Sequence, residues 1–181
     1  MPSIVSSIRS EFDRYKNLGE RAIAQVKDDE LSQPGPGGGN SIAIICWHIS
    51  GNLRSRFTDF LTTDGEKPWR KRDEEFEPRS VTRGELLAKW EGGWRALTDA
   101  LSGLSDADLA RTVTVRSQPH AVHEALHRAL AHISSHVGQI VYLSKVFRGA
   151  DWRTLSIPLG GSDAMNERMR EKMRGTLHAP D

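Results

Sequence analysis

Residues 119–149 read PHAVHEALHRALAHISSHVGQIVYLSKVFRG, and the placement of apolar residues in this stretch decides the fold class. Val122, Leu126, Ala129, Ile133, Val137, Ile140 and Phe147 recur every three or four positions, the spacing of one face of an α-helix. Pro119 stands at the start, and Gly149 follows Arg148 where a glycine can take a left-handed C-cap. A long amphipathic helix is therefore predicted after Pro119, ending at Arg148-Gly149.

Three more segments upstream carry the same period. The first places Ile4, Ile8, Phe12, Tyr15, Leu18, Ala22 and Val26 on one stripe. The second follows Asn40-Ser41, both good N-cap residues, and runs through Ile42, Ile45, Ile49, Leu53, Phe57 and Phe60. The third opens with Thr82-x-x-Glu85, a capping-box pattern, and continues through Leu86, Trp90, Trp94, Leu97 and Leu101. Residues 33–40 (QPGPGGGN) cannot continue a helix and form a loop, and residues 62–78 are a polar connection. Only Thr112-Val113-Thr114-Val115 hints at extended chain, and a short helix from Ser162 would set Met165, Met169 and Met173 on one side. Four amphipathic helices with almost no strand signal predict an all-α antiparallel bundle, one domain over residues 1–181.

Composition narrows the function classes. With 25 Lys and Arg against 24 Asp and Glu the formal charge is +1, which leaves no basic footprint for nucleic acid. No apolar run approaches the ~18 residues of a membrane span, and the first residues hold no signal-peptide core. The lone Cys46 cannot form an internal disulfide and reads as a small buried apolar residue in a reducing compartment. A cytoplasmic protein with neither nucleic-acid nor membrane partners is expected.

Seven histidines carry the chemistry, and helix geometry sorts them. At about 100° per residue, His136 falls about 40° from His132, and both lie at the edge of the buried arc set by Ile133, Val137 and Ile140. His123 and His127 fall on the solvent side. Two histidines at i and i+4 stack on adjacent turns and can chelate one ion. His48, flanked by Ile44 and Ile45 on the second helix, needs a partner in the core, because an unbonded imidazole there costs desolvation energy. A metal shared by His48, His132 and His136 satisfies all three. Three protein ligands leave a tetrahedral ion one open position, and all-imidazole ligation suits zinc, nickel, copper or iron. Asn52 and Gln139, near His48 and His136 along their helices, are candidates to orient ligands or substrate. No residue stands out as a catalytic acid or base.

A competing motif, His123-Glu124-Ala125-Leu126-His127, matches the H-E-x-x-H of zinc proteases. Its extended form requires glycine at position 130 and histidine at 133, where Leu130 and Ile133 stand, and no glutamate follows before Glu167 to serve as a third ligand.

Taken together, the early ligand-like His48 and the block His132-x-x-x-His136-Val137-Gly138-Gln139-Ile140 resemble the DinB/YfiT-like superfamily of metalloenzymes. The stretches NSIAII (residues 40–45), RFTDFL (56–61), DGEKPWR (64–70) and SIP (156–158) are similar to one bacterial branch of it. The resemblance implies an up-down-down-up four-helix bundle, a homodimer, and a nickel- or zinc-type ion on His48, His132 and His136. It also implies metal-dependent transfer to or from a low-molecular-weight thiol, with a non-catalytic metal- or ligand-binding protein as the alternative. Trp90 and Trp94, on one stripe, are candidates for the dimer face. The loop of residues 62–78 is expected to line a cleft beside the metal, where Lys67, Arg70, Lys71 and Arg72 would attract an anionic substrate.

Overall fold

The computed structural model describes residues 3–177, and among these it forms five helices and one two-stranded sheet. The helices are α1 (Ile4–Ile23), α2 (Ile42–Phe57), α3 (Arg83–Ser102), α4 (Val122–Arg148) and α5 (Ser162–Leu177). The strands β1 (Thr112–Val115) and β2 (Gln118–Ala121) lie between α3 and α4. No helix of the described residues is long and apolar enough to cross a membrane.

The caps read from sequence set the helix starts. Ser41 caps α2 through its hydroxyl, 3.2 Å from the Ile44 amide, and Thr82 with Glu85 forms the full capping box of α3. At α1, Ser3 caps the Ser6 amide, and Asp106 accepts from the Ile4 and Val5 amides at 3.0 and 2.9 Å. That carboxylate sits where the helix dipole favours negative charge, and it ties the first turn to the segment after α3.

Helix α1 packs on α4, α2 on α3, and α2 also meets α4. Phe12, Ile49, Leu53, Leu126 and Ile133 share one continuous core. At the α2–α3 crossing the backbones nearly touch, since a Cβ on Gly93 would stand 2.6 Å from Ser50 Cα. Trp90 and Trp94 lie inside this core, both essentially unexposed, with ring centroids 5.3 Å apart. They are filled in by the chain itself, so the expectation that they form a dimer face is corrected.

Two boundaries also differ from expectation. Helix α2 ends at Phe57 rather than Phe60, because Thr58 turns to extended geometry and Asp59 takes φ 50°. Phe60 nevertheless folds back against Phe57, centroids 5.0 Å apart, so its apolar spacing reflects burial without helix. Pro119 lies in β2, paired with Thr114 across the hairpin, and α4 starts three residues later. The strand hint at residues 112–115 thus has a partner, and the all-α reading needs this small sheet added.

Candidate metal centre

The three histidines selected by helix face converge. His48 on α2 and His132 and His136 on α4 each offer a ring nitrogen, all within 4.8 Å of one another. His48 Nε2 stands 3.1 Å from His132 Nε2, which in turn is 3.2 Å from His136 Nε2. An ion bound at ~2.0–2.1 Å by tetrahedral ligands would hold its nitrogens roughly 3.3–3.4 Å apart. The two spacings to His132 are close to that value.

Neighbouring groups decide which nitrogen each ring presents. His48 Nδ1 lies 2.9 Å from Glu75 Oε2, and a carboxylate there accepts a hydrogen bond from Nδ1–H, which keeps the proton on Nδ1 and leaves the Nε2 lone pair bare. Arg70 fixes that carboxylate with two bonds, Nε to Oε1 at 2.8 Å and Nη2 to Oε2 at 2.9 Å. Burial pushes the Glu75 carboxyl up, but the bonds from Arg70 and His48 outweigh it and leave it below the usual range. His136 Nδ1 lies 2.9 Å from Gln139 Oε1, which likewise directs its Nε2 toward the other two rings. His132 Nδ1 is buried and has no hydrogen-bond partner among the described residues. Burial, with His136 and His48 beside it, pushes the His132 imidazole down to about 4. Burial lowers His136 too, against the Gln139 bond. Neutral rings with converging lone pairs are what a cation requires and what three hydrogen-bonding histidines would avoid.

Glu75 comes from the short turn Asp73–Phe76 in the polar connection after α2, and Phe76 packs on the His48 ring at 4.7 Å. Gly51 makes room for this turn, because a Cβ there would overlap Glu75 Oε1. Sequence reading missed Glu75, which is one of several acids in a polar run and lies 27 residues from the histidine it holds.

A cavity of about 230 Å³ opens beside His48 and His132, bordered by Asn52 and, from the connection, by Arg70 and Arg72. Asn52 faces this space and makes no hydrogen bond to a ring nitrogen among the described residues. Lys67 and Lys71 do not line it. Lys67 is buried against Thr63 Oγ1 and the Asp64 carbonyl, and Lys71 pairs with Glu74 at the surface. The cavity's other guanidiniums, Arg56, Arg116 and Arg128, come from α2, the hairpin turn and α4, and only their shared proximity in the fold reveals them.

The protease-like motif is dispersed. His123 and His127 are exposed, His123 Nδ1 bonds the Leu109 carbonyl at 3.0 Å, and Glu124 accepts from the Ala121 amide at the start of α4. Its glutamate caps a helix, and its histidines join no group of ligands among the described residues.

Residues 2–161 match the family model described as "Protein of unknown function (DUF1572)". No curated protein matches the chain. Among solved structures, a conserved protein from Enterococcus faecalis is similar in fold, with a TM-score of 0.63 and 16% identity. The match covers 82% of this chain and 99% of that one.

Proposed function

The chain belongs to the DUF1572 family, and we propose that it is a metalloprotein holding one divalent ion, nickel or zinc, on His48, His132 and His136. The observation that supports this reading is the meeting of three imidazole Nε2 atoms, with the tautomers of His48 and His136 set from behind by Glu75 and Gln139. The finer description goes with it: a DinB/YfiT-like protein, an up-down-down-up four-helix bundle, homodimeric, with thiol-dependent transfer as its activity.

When bound, a divalent ion supplies Lewis acidity and makes a thiol or water at its remaining position easier to deprotonate. The chain's own residues do the rest. Glu75 and Gln139 hold the ligand rings, Phe76 shields His48 from water, and the arginine-lined cavity positions a reactant beside the histidines. Among the described residues no carboxylate lines that cavity, and its titratable lining groups other than arginine are His48, His120 and His132.

Elemental analysis of protein purified without a chelating tag is expected to find about one nickel or zinc per chain. His48→Ala and His132→Ala lose it, and His123→Ala keeps it. Metal retained in both triad variants refutes the site. The transfer activity is tested separately, by following adduct formation between low-molecular-weight thiols and an electrophile. Equal rates for wild type and His48→Ala remove the transferase reading and leave a metal- or ligand-binding role. A monomer mass by light scattering at micromolar concentration removes the homodimer.

A further inference from the structure

Five guanidiniums surround the cavity beside the histidines, those of Arg56, Arg70, Arg72, Arg116 and Arg128, and among the described residues no carboxylate lines it. Gathering like charges costs free energy unless anions balance them. Part of the balance is internal. Arg70 is spent on Glu75, and Arg56 and Arg116 share Glu66 at 3.2 and 2.8 Å. Arg72 has only Asp73, 3.6 Å away and fully exposed, while its guanidinium rests on the Phe76 ring. Arg128 has no carboxylate within reach among the described residues. Five positive charges against Glu66, Glu75 and Asp73 leave an excess of two. Anchoring of the loop accounts for Arg56, Arg70 and Arg116, but it leaves Arg72 and Arg128 unexplained.

The rest of the lining is mixed, with His48, Asn52, His120 and His132 beside apolar side chains. Phe57, Phe60, Val115 and Ala129 supply its apolar part. At about 230 Å³ the space lies below the ~300–1,000 Å³ typical of drug-sized ligands, so the occupant is compact. Guanidinium groups match the paired oxygens of carboxylates and phosphates.

We propose that this cavity binds a compact organic dianion, a dicarboxylate or phosphomonoester on a short apolar body, with its charge on Arg72 and Arg128 and its body against Phe57 and Phe60. The proposal builds on the metal-centre reading only in setting that ligand beside the histidines. The anion site itself needs no ion.

The test is isothermal titration calorimetry on the full chain, freed of metal by chelator and repeated with zinc. Phenyl phosphate and phthalate serve as the two dianions, benzoate as the monoanion and benzyl alcohol as the neutral analogue. Both readings of the charged end predict that at least one dianion binds ten-fold or more tighter than benzoate, and the tighter of the two identifies the class. Arg128→Ala and Arg72→Ala each weaken it at least five-fold while circular dichroism and zinc content stay unchanged. Dianions that bind no tighter than benzoate overturn the proposal, as does a double Arg72→Ala, Arg128→Ala variant of unaltered affinity. The two readings separate cleanly. Dianion binding in a protein that takes up neither zinc nor nickel supports the cavity and removes the metal centre, and the converse removes the cavity alone.

Discussion

At the residue scale, the Nδ1 bonds to Glu75 and Gln139 turn the Nε2 lone pairs of His48 and His136 inward. Glu75→Gln keeps the size of the side chain but removes the charge that fixes the His48 tautomer and that Arg70 clamps. Losses of this kind cost about 10–100-fold in metal affinity. Competition against a chromogenic chelator reads the change directly, and an affinity equal to wild type would show that the carboxylate serves only the loop. Acidity offers a second readout, on metal-free protein. His132 titrates at about 4 in the folded chain and near its ordinary 6.5 when unfolded, and His136 is lowered in the same sense. The unfolded state therefore takes up protons first as pH falls below 6.5. The stability that these rings confer when neutral is present above 6.5 and is lost progressively toward pH 4. Thermal melts in excess chelator should show this fall, and His132→Ala should flatten it.

Among the elements, the hairpin explains what sequence reading reached and what it did not. Helices α1 to α4 are legible because each repeats its apolar residues at helical spacing, and α2 and α3 also carry their own start signals, Ser41 and Thr82 with Glu85. The turn between β1 and β2 has no such local signal. Arg116 and Ser117 both take positive φ, 54° and 61°, where Asn-Gly would be the usual choice. What holds them is Asp64, more than fifty residues earlier, whose oxygens accept from the Arg116 amide at 2.8 Å and the Ser117 amide at 2.7 Å. A turn written by a distant residue leaves Pro119 looking like a helix start. The same holds for Glu75, whose role depends on the missing side chain at Gly51. The triad itself was legible, because helix angle and the cost of burying His48 both act locally. Backbone bonds from Glu66 and Ser117 hold the Asp64 carboxyl at about 2. Its contribution is accordingly present above the unfolded value of 3.8 and lost as pH falls through 2. Asp64→Ala is expected to release the Arg116 and Ser117 amides, with hydrogen exchange at least ten-fold faster there and unchanged in α1. Gly93→Ala, by contrast, forces α3 off the Ser50 backbone and should lower stability by about 1–3 kcal/mol in denaturant melts.

For the whole molecule, the position of the histidines matters more than their number. Helix α1 lies chiefly on α4, and α2 chiefly on α3, so the chain is built as two helix pairs. His48 belongs to one pair, and His132 and His136 to the other. A cation held by all three would bridge the pairs at the edge of the core, and an unfolded chain, with its ligands 84 residues apart, offers no such site. Binding to the folded state alone stabilises it by mass action, about 2.7 kcal/mol when free ion is at 100 times Kd. For a chain of this length each kcal/mol moves Tm by roughly 2–4 °C, so loading with nickel or zinc should raise Tm by about 5–11 °C. Chelator should reverse the shift. His48→Ala should abolish it, since two histidines on one helix no longer connect the pairs, whereas His123→Ala, on the solvent side of α4, should preserve it. A Tm that does not respond to either ion at millimolar concentration, or a shift that survives in His48→Ala, would mean that the three rings do not hold a metal across the helix pairs.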